Sequence, residues 1–136
     1  MEISYVRWLR ELAHEIGVSP RVHFRGTLSS SEVGDLIATA GCLIQPSRVE
    51  SLCLPLLEAL QMGLPVVSTD IPVAREVGRT HARYYPPGDV GALAAQISSL
   101  GSETAKGREE RAQKSKHLGW NSAADQLLSV LLGGGA

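Results

Sequence analysis

The chain is poor in aromatic residues, in cysteine and in unbalanced charge. Two Trp, three Tyr and one Phe make up 4% of its 136 residues, so its core has to be built from Leu, Val, Ile and Ala. Thirteen basic residues face fourteen acidic ones, for a formal net charge of −1. The two signs are interleaved, which gives none of the clustered basic excess that a nucleic-acid surface needs. Two cysteines, Cys42 and Cys53, are not a disulfide framework, and neither combines with the four histidines in a metal-ligand spacing. Both are expected as buried free thiols in a reducing compartment. No run approaches the ~20 apolar residues needed to cross a bilayer. The opening MEISYVRWLRELAHEIG carries charge throughout, unlike a signal peptide, so a cytoplasmic protein is expected. The length suits a single domain with one core.

What is present is an alternation of helical and strand patterns. Val6, Leu9, Ala13 and Ile16 recur at helical spacing, and Gly17 is placed to end that helix. After Pro20, Val22-His23-Phe24 reads as a short strand. Ser29 and Glu32 have capping-box spacing and start a second helix with the stripe Val33, Leu36, Ile37 and Ala40. Cys42 to Gln45 is a short, mostly apolar strand, the kind that suits a parallel sheet covered on both faces. A loop from Pro46 to Leu54 enters a helix with Pro55 in its first turn, which ends at Gly63. Pro65 to Ser68 is the next strand, Ile71-Pro72 opens a brief helical turn to Val77, and Arg83 to Tyr85 is a further strand. Asp89 then starts a helix bearing Leu93, Ala94, Ile97 and Leu100. Residues 101–116 are polar, a solvated helix or a connection. A last helix from about Asn121 carries Ala124, Leu127, Leu128 and Leu131, and 133–136 is a flexible tail. The expected class is α/β, a three-layer α/β/α Rossmann-like parallel sheet. No internal repeat and no boundary between two domains is legible.

The chemistry concentrates in PSRVESLCLPLLEALQMGLP, residues 46–65. A strand, a loop and a helix N-terminus in succession form the corner where open α/β sheets take ligands. Free amides and the helix dipole favour phosphate there; the amides of Ser51, Leu52, Cys53 and Leu54 are the expected donors. Glu50 and Glu58 would border the same cleft. Carboxylates repel phosphate but accept hydrogen bonds from hydroxyls, so phosphate donors flanked by two acids fit a nucleotide sugar. The competing reading is a loop acid and a helix acid favoured only by the dipole.

Pro46-Ser47, Glu50, LPLLEAL and MGLPVV resemble the signature of the group 1 glycosyltransferases (family 4), a PS-xx-E-G-F/Y-G-L-P-xx-E-A pattern followed by a G-x-P-V-V strand. RVHFRG, TDIPVAREV, YYPPGDVGALAAQI and HLGWNSAADQLLSVL resemble further family elements, in the expected order, from the first helix to residue 132. The resemblance implies that 1–132 is part of the C-terminal donor-binding domain of a two-Rossmann-domain (GT-B) enzyme. It also implies a retaining hexosyltransferase that uses no metal or cofactor, with a nucleoside-diphosphate sugar as donor substrate. Glu50 would be the catalytic residue, contacting the transferred sugar or stabilising its developing positive charge. Glu58 would accept hydrogen bonds from the ribose, Ser47 and Arg48 would line the cleft, and Ser51 to Leu54 would hold the distal phosphate. Ser51 and Cys53 stand where the family most often has glycine, which matters if either position needs a positive φ.

The family's complete enzymes also have an N-terminal acceptor domain and two earlier βα units with an Arg and a Lys for the leaving diphosphate. The resemblance places all of these before the start of this chain. Two outcomes are expected from that gap: the early strand re-pairs beside its neighbour, or a second copy fills the slot in a homodimer. Two rival functions stand beside the transferase: a non-catalytic nucleotide-sugar-binding or oligomerisation module, and a sugar-nucleotide epimerase-like fragment. Asp70 reads as a turn former, Trp120 as an anchor for the last helix, and the histidines as structural or solvated.

Overall fold

The computed structural model describes residues 4–101 and 105–115. The chain divides into two compact units, Met1–Val33 and Gly34–Ala136, with the division falling inside a helix.

The first unit holds α1 (Ser4–Glu15) and a 3-10 turn (Ser19–Arg21). Gly17, at φ 72°, ends α1, and the Val18 amide closes the last turn on the Ala13 carbonyl at 2.9 Å. Ala13 is buried, whereas Ile16 lies beyond the helix and is exposed, so the expected stripe is shorter than its spacing implied. Val22-His23-Phe24 is not a strand. A strand exists only through its ladder, and no described strand pairs with this segment. The expected re-pairing is therefore not found. Phe24 instead takes the Arg10 guanidinium over its ring at 4.6 Å. The unit ends in the start of α2 (Ser30–Thr39), where the capping box forms as expected. The Ser29 amide donates to Glu32 at 2.8 Å, and the Glu32 amide donates to the Ser29 hydroxyl at 3.4 Å.

The second unit is a parallel three-stranded sheet in the order β1-β2-β3, with β1 Leu43–Gln45, β2 Val66–Thr69 and β3 Arg83–Tyr85. Between them run α3 (Leu54–Gln61) and α4 (Pro72–Gly78); α5 (Val90–Ser98) and α6 (Ala105–Ser115) follow. Every residue of β2 is buried, as a central parallel strand covered on both faces requires. The core is built mainly from the aliphatic residues Leu56, Ala59, Leu60, Leu64, Val66, Val67, Ile71 and Ala74, with Cys53 and Tyr85 also buried. Leu36 was expected on the buried stripe of α2 and is exposed, while Ile37 beside it is buried. Asp89 caps α5 as expected, accepting from the Ala92 amide at 2.8 Å.

The polar stretch after Gly101 forms α6, which packs against α3 and is tied down by arginines. The Arg108 guanidinium donates to the carbonyls of Ile37 and of Ala38 (2.9 Å) at the end of α2, and to that of Met62 (3.3 Å) at the end of α3. One side chain thus serves the carboxyl ends of two helices, where orphan carbonyls and the negative dipole both favour a cation. The expected helix from Asn121 and the Trp120 anchor lie outside the described residues.

Candidate donor-binding site

In a parallel sheet all strands end at one edge, and the connections leaving that edge lie together. Pairing of Gln45 with Ser68, and of Ser68 with Tyr84, sets the last row shared by all three strands, and Thr69 pairs with Tyr85 one step beyond it. From this row rise the 46–53 loop, Asp70 and the 86–89 turn. The Thr69 hydroxyl donates to the Ser47 carbonyl, joining the end of β2 to the start of the loop. The Asp70 amide donates to the Tyr85 carbonyl at 2.8 Å, joining β2 to β3 beyond their last pair. The Arg48 guanidinium reaches across to the 86–89 turn, its Nη2 lying 3.7 Å from where a Cβ on Gly88 would stand. The loop and the turn therefore face one another over the strand ends, with a cation between them.

Cys53 is the N-cap of α3 and adopts φ 52°, ψ 43°, the left-handed region. An L-residue there costs about 1–2 kcal/mol, and glycine is the usual occupant. The question raised by the two substituted glycine positions is thereby answered: Cys53 needs the positive φ and Ser51 does not. The thiol makes no cap hydrogen bond to the helix, and Pro55 in the first turn has no N–H. The start of α3 therefore has no side-chain cap from its own N-cap residue on its first amides.

Burial pushes the Cys53 thiol above its ordinary range, and the nearby Glu50 charge adds to the rise. The thiol is 1% exposed, a protected group rather than a nucleophile. Cys42 is half-buried, and neither cysteine is in a disulfide. Glu50 is half-buried beside Cys53. Glu58 is exposed on α3, one turn in from Cys53. Ser51 and Leu52 are exposed on the loop and Leu54 at the start of α3, Arg48 is exposed, and Ser47 is partly covered. The residues named from the sequence thus belong to one connection and one helix start.

Three further relationships had no sequence signal beyond residue type. Asp70 makes a bidentate ion pair with Arg75, both contacts 2.7 Å. Arg75 lies over the Tyr84 ring at 4.0 Å, and the Tyr84 hydroxyl donates to the Ala74 and Arg79 carbonyls at 3.1 and 3.0 Å. Burial raises the Tyr84 pKa, which keeps its donor proton in place. Asp70 is thereby a structural clamp on the β2–α4 turn. Gln45, at the end of β1, is buried as well.

The family described as glycosyl transferases group 1 matches residues 2–118. The chain belongs to the group 1 glycosyltransferases. It is 31% identical over 124 residues to the serotype-specific mannosyltransferase WbdA of Escherichia coli, covering 89% of this chain and 15% of that protein. It is 31% identical over 127 residues to the MMP alpha-(1->4)-mannosyltransferase of Mycolicibacterium hassiacum, covering 88% of this chain and 31% of that protein. The solved structure of sucrose-phosphate synthase from Thermosynechococcus elongatus superposes with a TM-score of 0.70 at 25% identity, over 92% of this chain and 33% of that one. The fold is that of a GT-B glycosyltransferase domain, and the chain spans at most a third of the length of these relatives. No helix among the described residues is long and apolar enough to cross a membrane.

Proposed function

We propose that this group 1 glycosyltransferase domain recognises a nucleoside-diphosphate sugar at the carboxyl edge of its sheet. The observation that carries the reading is the left-handed cap at Cys53, which leaves the start of α3 without a side-chain cap from its own N-cap residue, with Glu50 near it and Arg48 reaching from the same loop to the 86–89 turn. Helix amides and dipole suit the distal phosphate, Arg48 suits the diphosphate charge, and Glu58 suits the ribose hydroxyls. Glu50 suits the hexose, whose anomeric carbon gains positive charge as its bond to the phosphate oxygen breaks. The departing electron pair stays on the diphosphate, where the amides of Ser51 to Leu54 meet it.

The chain spans only part of its relatives, so we assign donor recognition to it and retaining hexosyl transfer to the whole protein. No resident cofactor or metal enters this reading. Two relatives are named mannosyltransferases, which makes mannose the first sugar to test. A nucleotide-sugar donor implies the cytoplasm, where nucleotides are supplied.

Isothermal titration with UDP- and GDP-linked hexoses tests the reading. The parent chain is expected to bind one of them, and Glu58→Ala to bind it about tenfold more weakly, the loss of roughly one charge-assisted hydrogen bond. Absence of heat with every nucleotide and nucleotide sugar would remove the proposal.

One observation favours a second reading, the oligomerising module. β1 is an edge strand among the described residues, and Ile44 on it is exposed. An exposed apolar edge invites pairing with another copy. Light scattering coupled to gel filtration would show a dimer if so; a monomer at high micromolar concentration would reject it.

A further inference from the structure

The first unit has almost no interior. Among the described residues of Met1–Val33 only Ala13 is buried, and one methyl group does not make a core. Yet α1 is built with an apolar side. Residues four apart share a face of a helix, so Tyr5, Leu9 and Ala13 form one apolar row and Trp8, Leu12 and Ile16 the row beside it. The Ile16 amide still donates to the Leu12 carbonyl at 3.0 Å, which carries the second row past Glu15.

The unit covers the side of α1 that Ala13 borders and leaves the other open. Ala13 lines a small cavity with Ser19, Val22 and Phe24, and the Arg10 guanidinium lies over the Phe24 ring on the same side. Away from it, Trp8 and Ile16 are 52% and 63% exposed, and Tyr5, stacked on Trp8 with 5.6 Å between ring centroids, is 61% exposed. Large apolar side chains on successive turns of one helix make a continuous patch, which marks an interaction surface.

The charges along its edge select what covers it. Arg7, Glu11 and Glu15 are again four apart and border the Trp8 row, the base in the first half of the helix and the acids in the second. In a two-fold antiparallel pair the same edge of each helix meets that of the other, head to tail. Each Arg7 then lies against the acidic half of its partner, and the helix dipoles oppose. A lipid surface suits this edge less, because membrane-surface helices border their apolar side with basic residues.

We propose that the Trp8–Leu12–Ile16 face of α1 is the interface of a homodimer, in which a second copy of this chain lays its own α1 antiparallel across the patch and Arg7 pairs with the partner's Glu11 and the partner's Glu15. The contact gives the first unit the apolar interior that it lacks. It rests neither on the donor reading nor on the β1 edge.

Sedimentation equilibrium and native mass spectrometry of the full chain test it. The parent is expected to be a dimer. Trp8→Ser with Ile16→Ser, both exposed, is expected to weaken dimerisation at least about tenfold, the loss of an apolar anchor on each helix, with helical circular dichroism kept. A charge-swapped chain, Arg7→Glu with Glu11→Arg and Glu15→Arg, is expected to pair with itself as the parent does and to form no mixed dimer with the parent. The swap decides the matter should the serine variant lose helix.

A monomeric parent overturns the proposal, whether or not it binds phosphatidylglycerol vesicles. A dimer unchanged by the two serines overturns it as well, and would move the contact to another surface such as the β1 edge. Mixed dimers as abundant as the parental ones would reject the antiparallel pairing.

Discussion

Gly63 and Arg108 meet so closely that position 63 has no room for a side chain. A Cβ there would overlap the Arg108 carbonyl oxygen and stand 3.1 Å from the Ala112 amide nitrogen. The backbone of Gly63 is also left-handed, at φ 71°. This glycine belongs to the MGLPVV motif between α3 and β2, and two independent constraints select it: its own φ and the approach of α6. Gly63→Ala is expected to destabilise by about 2–4 kcal/mol, the sum of αL strain and backbone displacement. Urea unfolding checks it; a loss below about 1 kcal/mol would mean that α6 moves aside easily.

Arg108 carries a second prediction. Its guanidinium spans carbonyls from α2 and α3, which a planar fork with five donors can reach and a single ammonium cannot. Arg108→Ala is expected to cost about 2 kcal/mol, and Arg108→Lys to recover less than half of it. Full recovery by lysine would show that charge at the helix ends matters rather than the fork.

Thr69 and Ser47 carry a third. Thr69 is buried, and its hydroxyl is a tether between β2 and the 46–53 loop. Thr69→Val keeps the shape and removes the donor. The expected cost is about 1–2 kcal/mol, with faster amide exchange at residues 47–50 than in β3. Uniform acceleration across the sheet would mark the residue as part of the core only.

The Asp70–Arg75 pair predicts a pH dependence. The hydrogen bonds from Arg75 lower the Asp70 pKa, with the guanidinium charge acting in the same direction. A carboxyl whose pKa is depressed on folding stabilises above its unfolded value, ordinarily 3.8, and the gain is lost as pH falls through the lower folded value. Asp70→Asn is therefore expected to flatten the fall in thermal midpoint below about pH 4, the unfolded range of an aspartate, and to leave the profile unchanged between about pH 6 and 8. Parallel acid limbs for the two proteins would dismiss the clamp.

The legible parts of this protein are those decided by neighbours in sequence. The Ser29–Glu32 box, the Asp89 cap, Pro55 in the first turn of α3, and Gly17 and Gly63 past helix ends all act within four residues. The loop and helix at 46–58 were legible as a strand–loop–helix corner for the same reason. Ile16 and Leu36 mislead because helical spacing names a face but not where a neighbour ends. Val22 to Phe24 misleads because a strand pattern does not supply a partner.

Composition, helix starts and the motif of the family are local properties, and residue order alone determined them. Which atoms meet across the chain was decided by tertiary structure: Arg108 on carbonyls 46 to 71 residues away, Thr69 on Ser47, and Arg75 between Asp70 and Tyr84. Each depends on how far a side chain reaches once strands are in register, and register is settled only when the sheet closes. The left-handed cap at Cys53 belongs to that second group. A cysteine does not choose φ 52°; the packing around it does.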